Sequence, residues 1–132
     1  MHYSIVIPFH NEGGNLPELH RRLKNFLAER KENVEVIFID DLSDDGGAEV
    51  LREHISDDNR FSLYALKARG GQTGAFELGF AKAIGTKIIR MDADLQDHPE
   101  DLVHFFDKLE AGYDVVLGYR INRGHNVVLR LL

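Results

Sequence analysis

The chain has 132 residues, 43% of them hydrophobic and 29% charged, with a formal net charge of −6. That is one globular domain's worth of sequence, which excludes wholesale disorder, fibrous repeats and a multidomain machine, and the acidic balance argues against nucleic acid as a partner. The absence of cysteine removes disulfide frameworks, thiol catalysis and thiolate zinc sites and fits a reducing, cytoplasmic compartment; no apolar run approaches the ~20 residues of a membrane helix, and the first 15 residues lack a signal-peptide layout.

Residues 4–7 form a β-branched apolar run read as a buried strand stopped by Pro8. Asn15 as N-cap, Pro17 in the first turn and Glu18 as its capping-box partner start a helix with Leu19, Leu23, Phe26 and Leu27 on one face, running to about Arg30. Residues 34–39 are a second strand closed by Asp40 and Asp41, and residues 48–55 a short helix with Val50, Leu51 and Ile55 turned inward. A third strand at 61–66, a small-residue helix at 73–84 and a fourth strand at 87–91 follow. Asp97-His98-Pro99-Glu100 opens another helix, with Leu102, Val103, Phe105, Phe106 and Leu109 as its apolar stripe and Gly112 at its end. Residues 115–117 are a fifth strand.

Five strands separated by four helices imply right-handed crossovers and an open three-layer α/β fold around a mostly parallel sheet. Ligands in such sheets bind beyond the carboxyl ends of the strands. Polar clusters follow each strand: Asn11 and Glu12, Asp40 and Asp41, residues 69–73, residues 92–96, and Arg120.

Asp92-Ala93-Asp94-Leu95-Gln96 sets three oxygen-bearing side chains at alternate positions, a donor set for Mg²⁺ or Mn²⁺ that leaves room for water and phosphate; the competing reading is an acidic turn and helix cap. Four carboxylates in residues 40–45 cannot all be ligands, because their repulsion needs donors or cations nearby. Asp44, Asp45 and Gly46 suit a turn and cap, and Asp40, nearest the strand, is the better ligand contact. Residues 69–74 are a glycine-rich turn into a helix start, suited to an anion or to close helix–sheet packing. The histidines show no paired metal spacing: His20, His54 and His104 read as helix-surface or boundary residues and His98 as helix-start chemistry.

Taken together, Val6-Ile7-Pro8-Phe9-His10-Asn11-Glu12, residues 38–46, Gly71-Gln72-Thr73 and Met91-Asp92-Ala93-Asp94-Leu95-Gln96-Asp97 resemble family 2 glycosyltransferases of the GT-A fold, over about residues 3–120. The run Asp-Ala-Asp-Leu-Gln-Asp is most similar to the branch that contains dolichyl-phosphate mannose synthase and the undecaprenyl-phosphate sugar transferases. The resemblance implies a Rossmann-like nucleotide-sugar-binding domain over residues 1–120, a UDP- or GDP-sugar donor, a divalent cation (Mg²⁺ or Mn²⁺) on its diphosphate, and a polyprenyl phosphate acceptor. By position, Pro8, Asn11 and Glu12 would line the nucleoside pocket, with Asp40 on the base and Asp41 and Gln72 in the same binding set. Asp92 would sit near the ribose and metal, Asp94 and Gln96 would hold the cation, and Arg120 would lie near phosphate, making Asp92, Asp94 and Arg120 the catalytic set. The chain departs from the family pattern at Phe9-His10, at Leu42 where glycine is usual, and at Ala68-Arg69-Gly70-Gly71, which stands in place of Arg-Asn-x-Gly.

Residues 121–132, basic then apolar, read as an amphipathic helix packing on further protein at the start of an acceptor-side segment; the alternative is a surface facing an anionic membrane. The resemblance implies an inverting transferase working at the cytoplasmic face of a membrane, and an oligomer is compatible with it. A hydroxyl acceptor or a binding-only domain are the alternatives. A receiver-like domain lacks a lysine after the fifth strand, and a dinucleotide oxidoreductase lacks its glycine fingerprint.

Overall fold

The computed structural model describes residues 2–120 and 127–131. Four strands, β1 (His2–Phe9), β2 (Asn33–Asp40), β3 (Phe61–Ala65) and β4 (Lys87–Arg90), form one parallel sheet in the order β3-β2-β1-β4. β1 and β2 sit in the middle and are apolar almost throughout, as strands covered on both faces must be. The chain steps outward from β1 to β2 to β3 through α1 (Leu16–Ala28) and α2 (Gly47–Ile55), then reverses through α3 (Gly71–Lys82) to place β4 on the other side of β1. Right-handed crossovers in opposite directions put their helices on opposite faces. The packing agrees. Ile37 and Ile39 of β2 share a core with Ala75 and Phe76 of α3, while Phe38, pointing the other way, neighbours Phe61, whose ring meets His20 of α1.

α3 approaches β1 closely. A Cβ on Gly79 would fall 2.3 Å from Cγ1 of Val6, so only glycine permits this contact. The contacts of the chain divide it after Asp97. The second unit contains a 3₁₀ turn (Pro99–Asp101), α4 (Leu102–Glu110), and β5 (Val116–Arg120) paired antiparallel with β6 (Val127–Leu131).

Several expectations change. Pro8 does not stop β1: it lies beyond the last β1 residue paired with β4, Val6, while the opposite side of β1 continues along β2 to Phe9. Asn15 occupies the N-cap of α1 but forms no cap bond: its backbone is already helical (φ −101°, ψ −26°) rather than extended as a capping residue's is, and its amide nitrogen donates to Glu12. Glu18 correspondingly pairs with Arg21. Val50 is exposed, and Ala48 supplies the inner face of α2 with Leu51 and Ile55. His20 is buried, not a surface residue. β5 is not a fifth member of the parallel sheet, since the apolar run at 127–131 supplies a nearer, antiparallel partner. That run is a strand, so the helix expected there is not formed by its described residues; residues 121–126 lie outside the described ones.

Candidate functional site

The sheet order reverses between β1 and β4, and a cavity of about 340 Å³ opens at the carboxyl ends of the strands there. From β1 and its loop come Pro8, Phe9, His10 and Glu12; from the end of β2, Asp41; from the turn into α3, Arg69, Gly71, Gln72 and Ala75; and from beyond β4, Asp92, Ala93 and Asp94.

The loops that present these groups are tied to one another. Asn11, in the left-handed region at φ 52°, donates its backbone N–H to Ser43 Oγ (2.9 Å), and its Oδ1 accepts from Asp44 N (2.9 Å). Asp45 joins the same pair of loops, accepting from Gly13 N (2.8 Å) and Gly47 N (2.9 Å), and these backbone donors hold its carboxyl below the usual carboxylate range. Asp40 closes its own turn by accepting from Ser43 N at 2.8 Å. The turn assignment of Asp45 from sequence therefore holds, and Asp40 behaves in the same way.

Asp41 is different. It is only 4% exposed, and its two oxygens accept from Gly70 N (2.8 Å) and Arg69 Nε (3.1 Å). Burial alone would raise its carboxyl, but the Gly70 N–H, the Arg69 bond and charge, and the Gly71 N–H outweigh it and hold the group below the ordinary carboxylate range. A second arginine, Arg90 of β4, lies 4.3 Å over the Phe76 ring, donates to Gln72 Oε1 at 2.7 Å and stands 3.7 Å from Asp92. Beyond β4 the backbone of Asp92 donates to Asp97 Oδ2 (3.1 Å), and Asp94 accepts from Gln96 N (3.0 Å), so Asp97 and Asp94 also act as turn acceptors.

Of the residues singled out from sequence, Pro8, Glu12, Asp41, Gln72, Asp92 and Asp94 face one cavity. Asn11, Asp40 and Gln96 are not among its lining residues. Arg120 belongs to β5, and its side chain lies outside the described residues. Sequence reasoning passed over His10 and Arg90 and gave Arg69 no settled role. The available signal was that His10 follows the first strand directly and Arg69 adjoins a glycine-rich helix start. Among the described residues no group of three His, Asp or Glu side chains is placed to enclose a metal. A larger hollow of about 620 Å³ beside Ser56, Asp57 and the start of β3 contains none of these loop residues.

Residues 4–131 match the family described as Glycosyl transferase family 2. Among curated proteins, an uncharacterized glycosyltransferase of Bacillus subtilis, YkcC, is 39% identical over 92% of this chain and 38% of its own length. An undecaprenyl-phosphate 4-deoxy-4-formamido-L-arabinose transferase of Pseudomonas fluorescens is 38% identical over 96% of this chain and 38% of its own. The chain thus spans well under half the length of these relatives. Among solved structures, a mannosyltransferase of Pyrobaculum calidifontis in complex with GDP-Man and Mn²⁺ shares the fold, with a TM-score of 0.60 and 23% identity over 76% of this chain and 30% of that one.

Proposed function

The chain belongs to glycosyl transferase family 2, and on that premise we propose that it supplies the donor side of an enzyme that moves a sugar from a UDP- or GDP-sugar to a polyprenyl phosphate. The observation that carries this reading is the convergence of six sequence-selected residues from four separate loops on one cavity at the switch point of the sheet. The undecaprenyl-phosphate transferases among the relatives support a polyprenyl phosphate as the acceptor. Among the described residues no helix is long and apolar enough to cross a membrane, and we place the work of the whole protein at the cytoplasmic face of one, where a lipid-linked acceptor is met.

The donor set fits a divalent cation of one kind. Asp92 and Asp94 are two carboxylates lining one cavity, and among the described residues no third acidic or histidine side chain is grouped with them, which suits Mg²⁺ or Mn²⁺ completed by diphosphate oxygens and water rather than an all-protein cage. Asp92 and Asp94 would hold it, with Gln96 as a further oxygen donor, and when bound it would neutralise charge on the departing nucleoside diphosphate. Asp41 offers an ionised acceptor for base or ribose N–H and O–H groups, and Arg69 beside it offers donors that a nucleotide oxygen can use. A phosphate acceptor is already an anion, so the reaction needs little general-base help from the chain. The task left to these loops is to hold the donor so that acceptor oxygen and anomeric carbon meet in line, an inverting displacement to which correct positioning can contribute ~7–11 kcal/mol.

The test is calorimetric titration of UDP and GDP into the full-length protein with Mn²⁺ or with EDTA, followed by an assay of glycolipid formed from nucleotide sugar and polyprenyl phosphate. Metal-dependent binding of one nucleotide and lipid-linked product are expected. Binding of neither nucleotide overturns the donor reading; nucleotide binding with sugar transferred only to hydroxyl acceptors overturns the acceptor.

A further inference from the structure

At the rim of the cavity His10 touches both members of the Asp41–Arg69 pair. Its Nε2 lies 2.8 Å from Arg69 Nη1, and its Nδ1 lies 2.8 Å from the backbone carbonyl oxygen of Asp41. A guanidinium nitrogen only donates, so Nε2 accepts and carries no proton; a carbonyl oxygen only accepts, so the ring proton is on Nδ1. Both contacts specify the same neutral tautomer. Neither contact depends on the other, yet each requires the proton arrangement that the other imposes.

Arg69 needs such a partner. Its side chain is 56% exposed and it precedes Gly70 and Gly71, the second of which stands at φ 62°, so the local backbone contributes little stiffness. The Asp41 carboxylate fixes one edge of the guanidinium through Nε. A single bond leaves the plane free to pivot, whereas two bonds to different nitrogens of a rigid fork define it. His10 supplies the second, from a different strand end and through a group with no competing charge.

We propose that His10 is a positioning residue for nucleotide binding: as a neutral acceptor it fixes the plane of Arg69, so that the Asp41–Arg69 pair meets the incoming nucleotide already oriented. This rests on reading the cavity as the donor site. Preorganised side chains lose less freedom when ligand arrives, so the benefit is read in affinity. Losing one hydrogen bond to a charged group predicts a weakening of about tenfold in Kd.

The experiment titrates UDP and GDP, with Mn²⁺, into the full-length protein and into His10→Phe and His10→Gln, alone and combined with Arg69→Ala. Phenylalanine keeps a ring but no acceptor, and glutamine keeps an acceptor oxygen and a donor. His10→Phe is expected to weaken binding about tenfold, His10→Gln to stay within about threefold of the parent, and His10→Phe to have no further effect once Arg69 is alanine. An equal loss in the Arg69→Ala background, or no loss at all, overturns the proposal. Nitrogen NMR of the unsubstituted protein reads the tautomer without any variant: a protonated Nδ1 and bare Nε2 are expected, and the opposite tautomer overturns the proposal even if His10→Phe fails to fold. If the parent binds neither nucleotide, the donor-site reading falls and this inference with it; nucleotide binding that His10→Phe leaves unchanged overturns the inference alone.

Discussion

Replacing Asp41 with asparagine tests the electrostatic centre of the cavity. The carboxylate is 4% exposed and accepts from Gly70 N and Arg69 Nε. Asparagine is nearly the same size, but it can present only one carbonyl oxygen, and its amide group must then face a donor. The lost charge-assisted bond is worth about 1.5–3 kcal/mol where both partners are buried. Arg69 is 56% exposed and recovers water when released, so about 1–2 kcal/mol is the appropriate figure. Urea melts at pH 7 should show that loss; separately, losing the charged acceptor that a nucleotide N–H or O–H would use should weaken nucleotide binding about tenfold. The sign with pH is fixed too. A carboxyl held below its ordinary value stabilises the fold fully above the unfolded value of about 3.9 and ceases to do so as the pH falls through the folded value. The gap between the parent and Asp41→Asn should therefore be complete at pH 7 and close in strong acid. Asp40→Asn is the control: its Oδ1 accepts from Ser43 N, an amide oxygen can replace it, and nucleotide affinity should stay put. Unchanged melting and binding for Asp41→Asn, or loss of nucleotide from Asp40→Asn instead, would refute the reasoning.

Asp94→Asn should abolish the metal-dependent part of nucleotide binding, because an amide cannot supply the charge opposing the cation; titrations with Mn²⁺ and with EDTA that still differ in the variant would contradict this. His20→Leu should flatten the pH dependence of stability. Burial, then the charges of Lys24 and His54, lower the His20 pKa, so the unfolded chain takes up the proton first as the pH drops below about 6.5 and the parent loses stability there; urea midpoints at pH 7.5 and pH 5 measure it. Leu42→Gly should raise the melting temperature. Leucine at φ 55° carries about 1–2 kcal/mol of left-handed strain, against about 0.4–1 kcal/mol for the greater freedom of unfolded glycine, and a lower melting temperature would show that the strain is absent.

The strands and helices of the sheet were legible because the parallel core demands unbroken apolar runs such as residues 34–39, and α1 repeats buried leucines at 16, 19, 23 and 27. β5 misled because three apolar residues look alike in a buried parallel strand and in a hairpin arm; only the partner decides, and the partner lies further along the chain. Asp40 and Asp41 could not be separated by composition. Successive residues at a strand end point to opposite sides, so one closes the turn to Ser43 while the next reaches the cavity. His10 was hidden for a different reason: its role depends on Arg69, 59 residues away, and no local pattern reports such a pairing.

The backbone of these loops is arranged to the same end. Among the described residues, three that are not glycine lie in the left-handed region: Asn11 at φ 52°, Leu42 at φ 55° and Leu95 at φ 62°. Each directly follows a residue that lines the cavity, His10, Asp41 and Asp94. A left-handed residue can continue neither a strand nor a right-handed helix, so the chain turns away at once and leaves the preceding side chain at the apex of the bend. Such positions cost of order 1–3 kcal/mol and persist only where neighbouring bonds over-determine them. Those bonds are present: Asn11 with Ser43 and Asp44, Asp40 with Ser43, and Asp94 with Gln96. They run between loops or within them and use polar groups rather than core packing. Relaxing one turn should therefore disturb the presentation of its apical residue more than the stability of the sheet beneath, which separates the energetics of the site from those of the fold.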